Sequence, residues 1–335
     1  MKAAYIGRLG DAGTIRYGEL PDPVPDEGQV LVRVEAVAVD PVDTYVRSGR
    51  WRTELSFPLA LGRDLVGSVV MCGAAVSGFQ PGERVWTNSA GYGGRAGATA
   101  ELVAVDCERL YRLPAGADPV SFVATLHPGA TAYGALCDRA RVVSGECVVV
   151  VGATGAVGMS AVQVAVAAGA EVIATTRQAL AAERLHALGA ARVIVTEAAG
   201  APRAAAEAAR AGVDVLIDTS RHLDISSVPE QLNPRGRIVL IAGAGHADLD
   251  LRSFYLRELQ LLGFVMSAMT VSELAAAAER INARHPARPL TVSVGRVLSF
   301  AEAARAHTML ETGQLPRMPD GTVGRLVLTP GPPAD

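Results

Sequence analysis

The stretch that decides the fold is Glu146-Cys147-Val148-Val149-Val150-Val151-Gly152-Ala153-Thr154-Gly155-Ala156-Val157-Gly158. Its first half is an uninterrupted β-branched run, as expected of a strand buried on both faces of a parallel sheet. Its second half is a glycine-rich turn that opens a helical pattern over 157–168. Against the pattern G-x-G-x-x-G the turn reads Ala153-x-Gly155-x-x-Gly158, with Gly152 beside the substituted alanine to help the turn. Gly155 lets the backbone approach a pyrophosphate, and Gly158 lets the helix pack closely on its strand. The helix start at Ala156 and Val157 then offers free N–H groups and the positive end of a dipole to an anion. The plain alternative is a structural glycine turn without a ligand. Its place between a buried strand and a helix favours a dinucleotide site.

The next strand, 171–175, names the dinucleotide. A site for NAD places an acid at its end, about 20 residues past the glycines, to bond the ribose 2′-hydroxyl. Here the chain reads Ala174-Thr175-Thr176-Arg177-Gln178, without an acid. Two hydroxyls and a forked, permanently charged guanidinium suit a 2′-phosphate. The expected cofactor is therefore NADPH, held by Thr175, Thr176 and Arg177. The competing reading leaves Arg177 as a solvated residue at a helix start.

The strand–helix alternation continues through a helix at 179–188 and strands at 193–195, 213–218, 237–241 and 261–265. This predicts an α/β, doubly wound Rossmann domain with a parallel sheet over 126–266. Residues 1–125 read differently. Gln29-Val30-Leu31-Val32-Arg33-Val34-Glu35-Ala36-Val37 alternates as a half-buried strand, and turns recur at Pro21-Asp22-Pro23, Pro25-Asp26-Glu27-Gly28 and Pro81-Gly82-Glu83. That is a β-rich, barrel-like unit. Residues 267–335 add helices at 271–283 and 301–312, a strand at 324–328 and a frayed tail.

Composition narrows the class. The 335 residues are 50% hydrophobic and 19% charged, too apolar for a disordered chain. With 31 basic and 34 acidic residues the net charge is −3, without the basic field of a nucleic-acid binder. The longest apolar runs suit a buried strand and a packed helix, not a membrane span. Cys72, Cys107, Cys137 and Cys147 are scattered and read as reduced thiols. Met1 leads directly into patterned sequence, and the expected location is the cytoplasm.

Several segments now identify a resemblance. They are 38–49, Ala-Val-Asp-Pro-Val-Asp-Thr-Tyr-Val-Arg-Ser-Gly; Leu61-Gly62-Arg63-Asp64-Leu65-Val66-Gly67; Gly78-Phe79-Gln80-Pro81-Gly82-Glu83-Arg84-Val85; Thr131-Ala132-Tyr133; and the glycine turn. Nearly the whole chain resembles the medium-chain dehydrogenase/reductase superfamily, in its zinc-independent quinone oxidoreductase (zeta-crystallin-like) branch. The resemblance implies a GroES-like catalytic domain made from both chain ends, with the Rossmann domain inserted between them and a cleft between the two. It implies an NADPH-dependent reductase of quinones or α,β-unsaturated carbonyls, a homodimer formed through the Rossmann sheets. It also implies a nicotinamide end held by backbone at Ala242, Gly243, Phe264, Val265 and Met266, with Thr131 nearby. Those segments fall at the ends of predicted parallel strands, where ligands bind.

Zinc-dependent relatives need a thiolate and an imidazole where this chain has Asp40 and Arg63, and arginine cannot lose its proton to ligate. His127 falls where a third ligand would lie, so Asp40, Asp64 and His127 make an O,O,N set that Arg63 opposes. The expectation is no metal, with an Asp40–Arg63 ion pair in its place. The alternative leaves Arg63 at the surface and Asp40 as a turn cap.

Reduction of an enone or quinone builds negative charge on a carbonyl oxygen and needs a proton. By its place on the family segment that faces the nicotinamide, Tyr45 is the candidate donor, with Asp43 to orient it or a water. Asp43 otherwise makes local turn hydrogen bonds. His127, with a pKa suited to neutral pH, is the candidate proton relay, or a satisfied loop residue before Pro128-Gly129. Trp51, Arg52, Trp86 and Tyr92 read as an aromatic, cationic mouth for a planar or anionic substrate, or as packing residues. No G-x-S-x-G elbow occurs, and Ser160 lies inside the Rossmann helix. An enoyl-thioester or polyketide-type tailoring reductase, and a nucleotide-binding protein with little catalysis, remain as alternatives.

Overall fold

The structure is a computed structural model that describes residues 1–242 and 246–331. The chain forms two compact units. One comprises Met1–His127, Met269–Pro316 and the residues from Gly324 on; the other comprises Pro128–Ala268 and Arg317–Val323.

In the second unit six parallel strands lie in the order Arg192–Val195, Glu171–Thr176, Cys147–Val151, Val213–Asp218, Leu232–Leu240, Gln260–Gly263. Counted along the chain this is 3-2-1-4-5-6, the doubly wound Rossmann order. All five residues of Cys147–Val151 are buried, as a central strand covered on both faces requires. The order reverses between Cys147–Val151 and Val213–Asp218, and ligands bind at the carboxyl ends of strands beside such a switch. The helix Ala156–Ala167 follows the glycine turn.

The return of the chain differs from the sequence reading over one segment. Residues 317–323 were expected with the first unit but pack on the second. The Val323 N–H donates to the Thr154 carbonyl at 3.1 Å, and Arg317 bridges Val323. Gly321 has φ +78° and sits against Leu180 and Ala181.

The first unit is GroES-like and mostly antiparallel. Its larger sheet has seven strands, running Val294–Ser299, Arg325–Thr329, Gln29–Ala38, Asp64–Cys72, Arg84–Thr87 and Tyr111–Arg112, with Leu102–Asp106 also paired to Gln29–Ala38. Small aliphatic side chains such as Val30, Val32, Leu65 and Val85 fill its core. Two registers position the polar site. Ala38 stands opposite Asp64 on one side and opposite Val327 on the other. Carrying the antiparallel register with Arg325–Thr329 two residues further puts Arg325 opposite Asp40. Three charged groups thus meet where three neighbouring strands end. Among the described residues no helix is long and apolar enough to cross a membrane.

Candidate active site: a nucleotide cavity and a buried polar cluster

Each glycine of the turn has a separate physical reason. Gly152 has φ +79°, and a Cβ there would lie 2.9 Å from Thr219 Oγ1. At Gly158 a Cβ would lie 2.4 Å from the Gly152 carbonyl, so helix and turn touch only because the side chain is missing. Gly155 is different. A Cβ there would meet nothing closer than 3.7 Å, and its φ of −78° suits any residue. Protein packing therefore does not demand glycine at 155, whereas a ligand approaching the backbone would. Gly155 is also the N-cap of Ala156–Ala167 and bonds no helix N–H through a side chain. The first amides of the helix, Ala156 to Gly158, are thus open to an anion.

Beside this turn lies a cavity of about 450 Å³ whose lining includes Gly152, Thr154, Thr176, Arg177, Ser220 and Arg317. Thr175 and Thr176 are both buried. The Thr176 hydroxyl accepts the Gln178 N–H at 2.9 Å, so it shapes the bend that delivers Arg177. Arg177 is largely exposed and 4.0 Å from Glu197, a loose surface contact that leaves its guanidinium free to turn to a ligand. Arg317 comes from the returning segment and was not singled out in the sequence. A lone arginine in a coil 140 residues past Arg177 carries no local signal.

The remaining cofactor residues fall as follows. Phe264 is buried, filling the space left by Gly134, where a Cβ would lie 2.3 Å from its ring, with the Arg139 guanidinium 5.9 Å from the ring centre. Met266 and Thr131 are buried and Val265 is exposed. Ala242 follows the strand Leu232–Leu240. Gly243 lies outside the described residues.

In the first unit Asp40, Asp64 and His127 do come together: each offers a ligand atom, and these atoms lie within 4.8 Å of one another. Asp40 is paired, but not with Arg63. Its Oδ1 accepts from Arg325 Nη1 at 2.7 Å, with both side chains buried. The expected Asp40–Arg63 ion pair does not form, because the strand register delivers Arg325 to Asp40 first. Arg63 is not at the surface either. It is 1% exposed, lies over the Tyr92 ring at 4.9 Å, and has no acceptor for Nε or Nη1. Burial pushes the Asp40 carboxyl up, but the charges of Arg325 and His127 outweigh it and hold Asp40 below the ordinary carboxylate range. Asp64 goes the other way, raised well above that range by burial and then by Asp40.

Asp43 caps rather than orients. Its Oδ2 accepts the Asp40 N–H at 2.8 Å, closing the start of the helix Pro41–Ser48. Burial and the neighbouring Asp40 raise it to about 8. His127 is not a loop residue: it sits inside the helix Pro119–Tyr133, just before Pro128, and its N–H donates to Asp64 Oδ2 at 2.9 Å. Burial lowers its pKa to about 4, so the imidazole is neutral at pH 7 and not poised there as expected.

Tyr45, on the helix Pro41–Ser48, is half-buried with the Arg50 guanidinium 5.2 Å from its ring centre. Trp51 and Tyr92 do meet, edge to face at 6.2 Å, with Trp51 Nε1 donating to the Tyr92 hydroxyl at 3.2 Å. Arg52 is exposed. Trp86 does not belong with them. It is wholly buried between Tyr111 and Phe122, its Nε1 donating to Asn282 Oδ1 at 3.1 Å. It packs the core and forms no mouth. The one local signal of Arg325 is that it is the single charge in an apolar strand, Arg325-Leu326-Val327-Leu328.

Residues 26–115 match the alcohol dehydrogenase GroES-like domain family and residues 156–283 the zinc-binding dehydrogenase family. The chain is 30% identical over 309 residues to a quinone oxidoreductase of Sus scrofa, covering 92% of this chain and 93% of that one. Two solved structures match 98% of the chain: a mycobacterial protein complexed with NADPH (27% identity, TM-score 0.81, all of that chain) and an NAD-dependent alcohol dehydrogenase (26%, TM-score 0.85, 99% of that chain). The chain belongs to the medium-chain dehydrogenase/reductase superfamily, in its zinc-independent quinone oxidoreductase branch. It is an oxidoreductase that uses a nicotinamide cofactor and a small-molecule substrate.

Proposed function

We propose that the chain is an NADPH-dependent reductase that passes hydride to a quinone or an α,β-unsaturated carbonyl compound. The observation that carries this reading is the pair of guanidinium groups, Arg177 and Arg317, lining one cavity with Thr176 where an NAD site would set an acid. Arginine forks bind phosphate with charge-assisted hydrogen bonds, and a 2′-phosphate is the group that separates NADPH from NADH. The bare helix start behind Gly155 fits the pyrophosphate. When bound, the nicotinamide supplies the hydride.

The chain's own residues then have two tasks. One is to hold the cofactor, by the groups just named and by backbone at Ala242, Gly243, Phe264, Val265 and Met266. The other is to stabilise charge on the substrate oxygen. Tyr45 is the donor in this reading, its ring lying beneath the cationic Arg50 guanidinium. His127, neutral at pH 7, passes a proton through its imidazole instead of storing one, and Trp51, Arg52 and Tyr92 contact a planar substrate. We also infer a homodimer. Gln260–Gly263 is the edge strand of its sheet, with Leu261 on it and Val265 just past it both exposed, and a second copy would cover them. A reducing cytoplasm suits the four free cysteines.

Fluorescence titration with NADPH and NADH tests the cofactor, on the wild type, Arg177→Ala and Arg317→Ala. Tighter NADPH binding that either substitution weakens, followed by quinone-dependent NADPH oxidation, supports the reading. Equal affinity for both cofactors in all three proteins would remove its basis.

A further inference from the structure

The name of one matching family implies zinc, and Asp40, Asp64 and His127 supply an O,O,N donor set of the right compactness. The residues around that set do not fit a metal ion. Arg325 Nη1 already occupies Asp40 Oδ1 at 2.7 Å, and Asp64 Oδ2 is held by the His127 N–H at 2.9 Å. Two buried guanidinium groups, Arg63 and Arg325, face the three carboxyls of Asp40, Asp43 and Asp64. Neither guanidinium can give up its proton, so neither can ligate, and each repels a divalent cation at close range.

We propose that the Arg325 guanidinium is a built-in cation that stands in the place of a metal ion at Asp40, Asp64 and His127. The pair is then structural electrostatics: a covalently tethered charge neutralises the buried carboxylates, and no metal has to be acquired. Removing that charge while keeping its bulk frees Asp40 Oδ1, so that Asp40, Asp64 and the neutral imidazole become a ligand set for a divalent ion with Arg63 the one guanidinium still facing them. The inference is independent of the reductase reading, since metal content is measured without substrate or NADPH.

The test is a titration of the metal-stripped full chain with Co²⁺ and Zn²⁺, following the cobalt ligand-field bands and bound metal after gel filtration. The wild type should take up neither ion at this site. Arg325→Met should bind one equivalent at least about 100-fold more tightly than the wild type. Adding Asp64→Asn to that variant should abolish the gain. If Arg325→Met is unfolded without metal, one equivalent of Zn²⁺ should restore its fold, because metal binding at such a site is folding free energy. The proposal is overturned if the wild type binds an equivalent that Asp64→Asn removes. It is equally overturned if Arg325→Met binds nothing, or stays unfolded in saturating Zn²⁺.

Discussion

Asp43 Oδ2 accepts the backbone N–H of Asp40 at 2.8 Å, while its other oxygen has no donor and is buried. A carboxyl so placed keeps its proton up to about pH 8 in the folded chain, whereas the unfolded chain releases it near 3.8. Between those values the folded state holds the extra proton, so stability falls as pH rises through the interval. Urea denaturation should show a loss from pH 6.5 to 8, a range in which the buried histidines stay neutral in the folded chain and their unfolded-state titration near 6.5 acts in the opposite direction. One proton accounts for at most about 2 kcal/mol over that span. Asp43→Asn keeps the helix-start acceptor and should flatten the slope. A slope unchanged in the variant would reassign the effect to other groups, Asp64 first.

His307 predicts the opposite limb. It is 2% exposed, and burial followed by the Arg47 charge lowers its pKa to about 3. The folded chain keeps it neutral while the unfolded chain protonates near 6.5, so stability is lost as pH falls from 6.5 toward 3. His127 acts in the same direction down to about 4. His307→Gln should blunt the acid loss by up to about 1.4 kcal/mol per pH unit. Unfolding curves at pH 6.5, 5.5 and 4.5 decide it; parallel losses in both proteins would refute the assignment.

Gly155 and Gly158, on one turn, should separate stability from binding. At Gly158 a methyl meets the Gly152 carbonyl at 2.4 Å, so Gly158→Ala should cost about 1–3 kcal/mol of stability. At Gly155 the same methyl has room, so Gly155→Ala should melt with the wild type but bind NADPH at least about tenfold more weakly. Equal cofactor affinity in Gly155→Ala would show that no ligand approaches there.

Arg317 and Arg177 should act on the same phosphate. Either change to alanine is expected to raise the NADPH Kd by roughly 10- to 100-fold, the worth of a charge-assisted hydrogen bond, and to leave NADH nearly unmoved. If NADH binding falls equally, the two arginines serve the fold or the pyrophosphate.

Trp86→Ala should destabilise by about 3–5 kcal/mol, the cost of emptying a large aromatic site in a core. Trp51→Ala, at a half-buried ring, should cost less and change KM for a quinone more. Were Trp86→Phe, which keeps most of the bulk, to shift KM while Trp51→Ala did not, the two rings would have to exchange roles.

What the sequence disclosed tracks the range of the interaction involved. The Rossmann strands follow from local β-branched runs, and the glycine turn follows from backbone geometry that three residues control. The tryptophans were indistinguishable by type: Trp86 and Trp51 differ only in what folds over them, which composition does not carry. The partner of Asp40 was beyond reach for the same reason. Arg63 is nearer along the chain and lies in a family motif, but the pairing of Gln29–Ala38 with Arg325–Thr329 fixes the ion pair, and that register joins positions 285 residues apart. For His127, a proton relay in one reading and a satisfied loop residue in the other, the loop reading rests on the Pro128 that follows it. A helix tolerates that proline here, and the His127 N–H finds Asp64 as its acceptor instead.

The docking of Arg317–Val323 on Thr154 bears on how such proteins exchange parts. A nucleotide module cut from the gene as the continuous block 128–268 would leave behind a wall of its own cavity and the Val323 N–H that ties down the glycine turn. Recombination among relatives that swaps this module intact must therefore carry two separated pieces of coding sequence. A chimaera made with one piece would set a turn from one ancestor against a cavity wall from another.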